Sequence, residues 1–230
     1  MDGKTGSVGV RPSLWIDPAA PQPGIPERTE TVAIGEAQAG DVVLFGRYEQ
    51  DALASDGPEP IEWIVLAREK NRLLLLSRLA LDSRAFGWKE GLTWENSAMR
   101  AWLNETFAGR AFSAEERSAI LSVKLKTPKN SEYKTKGGKD TKDTVFLLSE
   151  DEWNKYVRRT EGAACTATEY ALERGASAGE DGSVRWWLRT PGHMESSRAY
   201  ADREGKLVLM GESAMNHGSG IRPAVWIRAD

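Results

Sequence analysis

The chain has 230 residues, with 31 Lys and Arg against 34 Asp and Glu, a formal net charge of -3, nine Trp, two His and one Cys. A hydrophobic share of 40% excludes disorder of the whole chain, and the slight acidity excludes the basic footprint of a nucleic-acid binder, so no nucleic-acid partner is expected. No run approaches the ~20 apolar residues of a membrane span, the Met1-Asp2-Gly3-Lys4 start lacks the apolar core of a secretory signal, and one Cys closes no internal disulfide.

The first 16 residues repeat the end of the chain. Gly9-Val10-Arg11-Pro12-Ser13-Leu14-Trp15-Ile16 matches Gly220-Ile221-Arg222-Pro223-Ala224-Val225-Trp226-Ile227, with Gly, Arg, Pro, Trp and Ile identical. Asp2-Gly3-Lys4 also echoes Glu204-Gly205-Lys206. The copies lie about one domain length apart, so segment 1–16 reads as the last strand of a preceding copy in a tandem array, or as a strand for self-association with a neighbouring molecule. Residues 17–31 hold Pro18, Pro21, Pro23 and Pro26 in a polar context and read as an extended linker. A domain of residues 32–230 follows.

Within it, Asp41 to Arg47 and Ile61 to Glu69 read as strands, the second turning through Lys70-Asn71 into a third, Arg72 to Ser77. The period then changes: Trp94, Ala98, Met99, Trp102, Leu103, Thr106 and Phe107 mark an amphipathic helix. Ser113 with Glu116, Ser149 with Glu152 and Thr166 with Glu169 are capping boxes, in which hydroxyl and carboxylate satisfy reciprocal orphan amides; they place three more short helices. Strands return at Val184 to Arg189, Arg198 to Asp202, Lys206 to Met210 and Ile221 to Arg228, the last with an edge or bulge at Pro223, which has no N–H to donate. Strands, then helices, then strands give an α+β domain.

Catalytic signals are thin. His193 and His217 have no metal-ligand spacing, and Cys165 precedes Thr166, the expected cap of a helix whose dipole would lower a thiol pKa, although a buried inert thiol is the commoner arrangement. Neither a metal nor another cofactor is expected. Seven Lys between Lys124 and Lys142 read first as a solvated loop and second as a polyanion contact. The stretch from His193 to Gly220 is chemically mixed and framed by aromatic strands, the way scaffolds carry recognition loops. Its candidate ligand contacts are His193, Glu195, Arg198, Tyr200, Asp202, Arg203, Met210, Met215, Asn216 and His217. Trp94 and Trp102 are expected in the helix core and Trp63 and Trp226 in the central sheet. Trp186 and Trp187 must face opposite ways, one into the core and the other covered by loops or exposed.

The motifs FGRYEQ, PIEWIVL, TWENSAMRAWLNETF, DTVFLLSEDEW, CTATEYA, WWLRTPG and GIRPAVWI, spread from Asp41 to Ile227, together resemble an uncharacterised bacterial domain-of-unknown-function family. That family in turn resembles the C-type-lectin-like fold of formylglycine-generating, sulfatase-modifying domains and of the variable proteins of diversity-generating retroelements. The resemblance implies a mixed, mainly antiparallel sheet with about four short helices, the first strand beside the last, and a cell-surface or extracellular setting. It also implies a ligand face at 193–219, the stretch that is diversified in variable proteins. The single Cys departs from the cysteine pair of formylglycine-generating enzymes, and the calcium-binding motifs of sugar-binding lectins are missing.

These observations favour a non-catalytic binding domain whose C-terminal loops meet a protein or glycan ligand. The rivals are an enzyme on the same scaffold, using His193, His217 and Glu195 for acid and base work, and a structural repeat unit of a larger surface protein.

Overall fold

The structure is a computed structural model in which residues 30–229 are described. The duplicated segment 1–16 with its expected self-association, and the linker 17–31 apart from Glu30 and Thr31, lie outside the described residues.

Strands β1 (Val42–Tyr48), β2 (Glu59–Glu69), β3 (Arg72–Ser77) and β4 (Asp82–Ser83) come first. Helix α1 (Ala98–Trp102) runs through a π-helical turn (Leu103–Phe107) into α2 (Ala108–Ala111), and α3 (Ala114–Ala119) follows. Next are β5 (Val123–Leu125), β6 (Thr141–Asp143) and β7 (Val145–Phe146), then α4 (Glu150–Glu152) with a second π-helical turn (Trp153–Val157), a 3-10 turn (Glu161–Ala163) and α5 (Glu169–Glu173). The final strands are β8 (Trp186–Pro191), β9 (Ser197–Ala201), β10 (Leu207–Ser213), β11 (Gly220–Ile221) and β12 (Ala224–Arg228). The expected α+β class with mainly antiparallel pairing and short helices is what forms.

The first sheet has the order β1-β2-β3-β12-β7. The Lys70-Asn71 turn puts β3 directly against β2, as the hairpin signal required. The unbroken run Leu73 to Leu76 is buried on both faces and needs a second neighbour, which β12 supplies with Leu74 opposite Trp226. This corrects the expectation that the first strand lies beside the last: β1 is the sheet edge, with β2 and β3 between it and β12. In β1, Gly46 takes φ +71° where a Cβ would fall 2.6 Å from the Ala111 carbonyl oxygen, so the bulged strand can meet α2 only through glycine.

The second sheet has the order β10-β9-β8-β11-β4. The expected single strand from Ile221 to Arg228 is two strands, because Pro223 offers no ladder donor and Arg222 turns its side chain into the interior. β11 pairs with β4 and β8, and β12 pairs with β3 and β7. One continuous cluster of buried side chains runs through both sheets.

The amphipathic helix begins later than its periodicity suggests. Ser97 caps it by accepting from the Arg100 amide at 3.1 Å, leaving Trp94 in the preceding turn, where its Nε1 donates to Asp143 Oδ2 at 2.9 Å. The capping boxes at Ser113 and Ser149 both form. The third does not: Thr168 caps α5 by accepting from the Ala171 amide at 3.0 Å, while Thr166 pairs with Ser183 outside any helix. Cys165 is therefore not at a helix start, and burial pushes its thiol up. Both Trp of the adjacent pair are fully buried. Trp186 lies under the Arg222 guanidinium at 4.8 Å, and Trp187 meets the edge of Phe86 and donates to the Arg84 carbonyl at 3.3 Å.

Candidate functional site

Three buried arginines hold the second sheet and its loops. Arg189 donates to the carbonyls of Leu147 at 2.6 Å and Lys126 at 2.9 Å, and pairs with Glu152. Arg222 donates to the carbonyls of Ser77 at 2.9 Å, Gly162 at 2.6 Å and Arg78 at 3.3 Å. Arg198 donates to the carbonyls of Leu92, Ser197 and Glu195 and lies over the Phe86 ring at 4.9 Å. Irregular segments leave carbonyls without ladder partners, and a guanidinium with five donors satisfies several at once. Burial lowers Arg198 to about 10, opposed by the Glu195 carboxylate, and burial also lowers Arg222.

The burial of Arg198 corrects its selection as a ligand contact: it is a fully enclosed strut. The other selected residues divide. Tyr200, Asp202 and Arg203, with Arg185 and Glu204, line a polar cleft of about 290 Å³. There Asp202 accepts from the Lys206 amide at 2.7 Å, holding the turn between β9 and β10, and Arg203 reaches the Ser177 carbonyl at 3.0 Å. Asn216 serves its own turn, accepting from the Gly218 amide at 2.8 Å and donating to Glu212 at 2.9 Å, while Glu212 is paired with Arg185 at 3.0 Å. His193, Glu195, Met210, Met215 and His217 are exposed.

His193 is tied to β10, its amide donating to the Met210 carbonyl at 2.9 Å and its Nδ1 lying 2.8 Å from the same oxygen. Among the described residues no hydrogen bond or ion pair joins His193, Glu195 and His217 to one another. Among the described residues, three carboxylates within metal-ligand reach of one another come from Glu49 and Asp51, just after β1, and Glu59, the first residue of β2, all outside the C-terminal loops.

Sequence reasoning missed three exposed side chains at this edge. Trp88 is 71% exposed, and it follows Gly87, whose amide donates to the Ala214 carbonyl at 3.2 Å, next to Met215. Met194 neighbours His193, and the Tyr133 ring stands edge-on to His193 at 6.1 Å. The Ala214 amide donates to the Ser196 carbonyl at 2.8 Å, which closes the ring of segments. Trp88, Met194, Met210 and Met215 therefore sit on four backbone segments bonded to one another. The signal that could have found Trp88 was its setting: a Trp between Gly87 and Lys89-Glu90-Gly91 lacks the apolar neighbours of a core strand or helix.

A family model matches residues 70–229, from the β2–β3 turn to the end of the last strand. The chain belongs to the family described as Domain of unknown function (DUF6273). The DUF6273 match takes in β3 to β12, the three buried arginines and every candidate loop, while β1 and β2 precede it. No curated protein and no solved structure matches the chain.

Proposed function

We propose that this DUF6273 domain is a non-catalytic binding module that meets a protein ligand through the edge formed by the C-terminal loops and the Trp88 turn. One observation carries this reading: Met194, Met210 and Met215 are 49%, 56% and 64% exposed, on segments that backbone hydrogen bonds connect to one another and to the turn carrying exposed Trp88. Exposed apolar side chains gathered on a monomer surface mark interaction sites. Methionine adapts its shape to a partner and tryptophan supplies hot-spot area, so the chemistry suits a protein surface better than a sugar. The polar cleft at Tyr200, Asp202 and Arg203 lies at the other end of the β9–β10 hairpin and is linked to the loops through Arg185, which pairs with Glu212.

We further propose kinship with the C-type-lectin-like fold, which rests on the motifs from Asp41 to Ile227, and with it a role as a variable protein whose 193–219 loops change between copies. The test is binding to protein and glycan arrays by the full chain and by a Trp88→Ser, Met210→Ser, Met215→Ser variant. Binding of the parent to a protein feature that the variant loses is expected. Equal binding by both, or selection of glycans alone, would sink this reading.

A further inference from the structure

The lysine-rich loop between β5 and β6 borders a second, open cavity of about 580 Å³, whose lining includes Lys129, Lys134, Lys136 and Lys139, with Glu95 as the carboxylate. A solvated loop would explain lysines that wander, but this loop is pinned. Asn130 is fully buried, its Nδ2 donating to the Pro191 carbonyl at 2.8 Å and the Leu209 carbonyl at 2.9 Å, its Oδ1 accepting from the Glu132 and Tyr133 amides at 3.0 Å each. The next turn is held where the Ser131 amide donates to the Glu150 carboxylate at 3.1 Å. Four exposed lysines thus line one hollow in a chain whose net charge is -3, Lys134 donating to the Ser131 carbonyl.

The cations outnumber their partners. Lys139 pairs with Glu95 at 3.4 Å, whereas Lys129 and Lys136 have no carboxylate partner among the described residues. Thr127, in the cavity wall, is 5% exposed and its Oγ1 has no hydrogen-bond partner. Among the described residues the Gly137 and Gly138 amides donate no hydrogen bond. Gly138 takes φ +98°, with a Cβ position 2.6 Å from Thr93, so the loop lies against its wall only because this residue has no side chain. Convergent like charges are unfavourable unless an anion joins them. Ammonium, hydroxyl and amide donors on one lining match an oxyanion with more than two acceptor oxygens. The volume falls in the range of small-ligand pockets, too small for a nucleic-acid strand.

We propose that this cavity binds a phosphate or sulfate ester group carried by a small molecule or a sugar unit. None of Trp88, Met194, Met210 and Met215 lines this cavity, so the assignment does not rest on the methionine edge. The test is calorimetric titration of the full chain with inorganic pyrophosphate and, separately, a heparin-derived sulfated disaccharide, at low and high salt. Binding by at least one probe is expected, weakening by at least about tenfold in Lys129→Ala, Lys136→Ala, at unchanged melting temperature. The same charge removed elsewhere, Lys155→Ala, Lys206→Ala, should change affinity by less than about twofold. A response to pyrophosphate alone assigns a phosphate ester, to the disaccharide alone a sulfated sugar, and to both the shared oxyanion chemistry. Binding of neither probe, or equal weakening by the two variants, would overturn the proposal.

Discussion

The two sheets are held together by different means. In the first, Leu73 to Leu76 of β3 and Val225 and Ile227 of β12 are almost wholly buried, and these two strands pair without a register break, the bulges of this sheet lying in β1 and β2. In the second, registers break between Val208 and Glu212 and between Trp187 and Pro191, and Arg189, Arg198 and Arg222, on or next to its strands, donate to carbonyls of the surrounding loops and of the end of β3. Regular strands satisfy their own backbone, so apolar packing can do the rest. Loops that carry chemistry cannot, and buried guanidinium groups hold them in place without a ladder. The exposed methionine edge belongs to the second kind of construction.

The contrast predicts where the molecule is weakest to a single change. Arg222→Ala should cost about 4 kcal/mol in urea denaturation, because three carbonyls lose their donor and a cavity opens over Trp186. Arg222→Lys should rescue little, since one ammonium cannot reproduce the forked geometry. Leu75→Ala, in the middle of the first sheet, should cost about 3 kcal/mol through lost burial and a residual void. If Leu75→Ala proves the costlier, the second sheet is an apolar assembly like the first and the arginines are passengers.

Alkali should weaken the fold through two groups that keep their protons to higher pH when folded. Burial raises Cys165, and burial with the Asp82 carboxylate raises Tyr48, whose hydroxyl donates to Asp82 at 2.7 Å. Their contribution is complete below the unfolded values, about 8.5 for Cys and 10 for Tyr. Above those values the unfolded chain releases protons that the folded chain retains, so stability falls by up to about 1.4 kcal/mol per pH unit for each group. Denaturation from pH 7 to 11 should therefore show a steeper decline for the parent than for Cys165→Ala between pH 8.5 and 10, whatever the variant loses at pH 7. Parallel curves would mean that the thiol ionises equally in both states.

Much of the first sheet was legible because its causes are local. The Lys70-Asn71 turn, the alternation in β2 and the serine caps of α3 and α4 each act within a few residues. The order of its strands was not, since the place of β12 depends on which neighbour the all-leucine β3 lacks. In the second sheet, arginine and exposed-loop chemistry read alike in sequence. Arg198 looked like a contact, and only the depth of Phe86 and Leu92 around it makes it a strut. The Thr166 box failed because Thr168 offers the same hydroxyl two residues on, where the chain is free of its pairing with Ser183. Trp88 joins the edge through a backbone bond from Gly87 to Ala214, a separation no local pattern reports.

The smallest expected effect on stability is the most telling about function. Met215 is 64% exposed, and its side chain adds little to the buried cluster. Met215→Ser should therefore change folding free energy by no more than about 0.5 kcal/mol, and Trp88→Ser by a similar amount. Exposed apolar surface invites association, so a side chain with so little to hold is expected to be polar unless it meets a partner. If the edge meets a partner, each change should leave the urea midpoint nearly fixed while weakening capture of that partner by about tenfold for Trp88→Ser, the scale of a single anchor. A loss of folding stability well above 1 kcal/mol from either change would instead place these side chains inside the scaffold, and the difference between the two sheets would then be one of packing rather than of purpose.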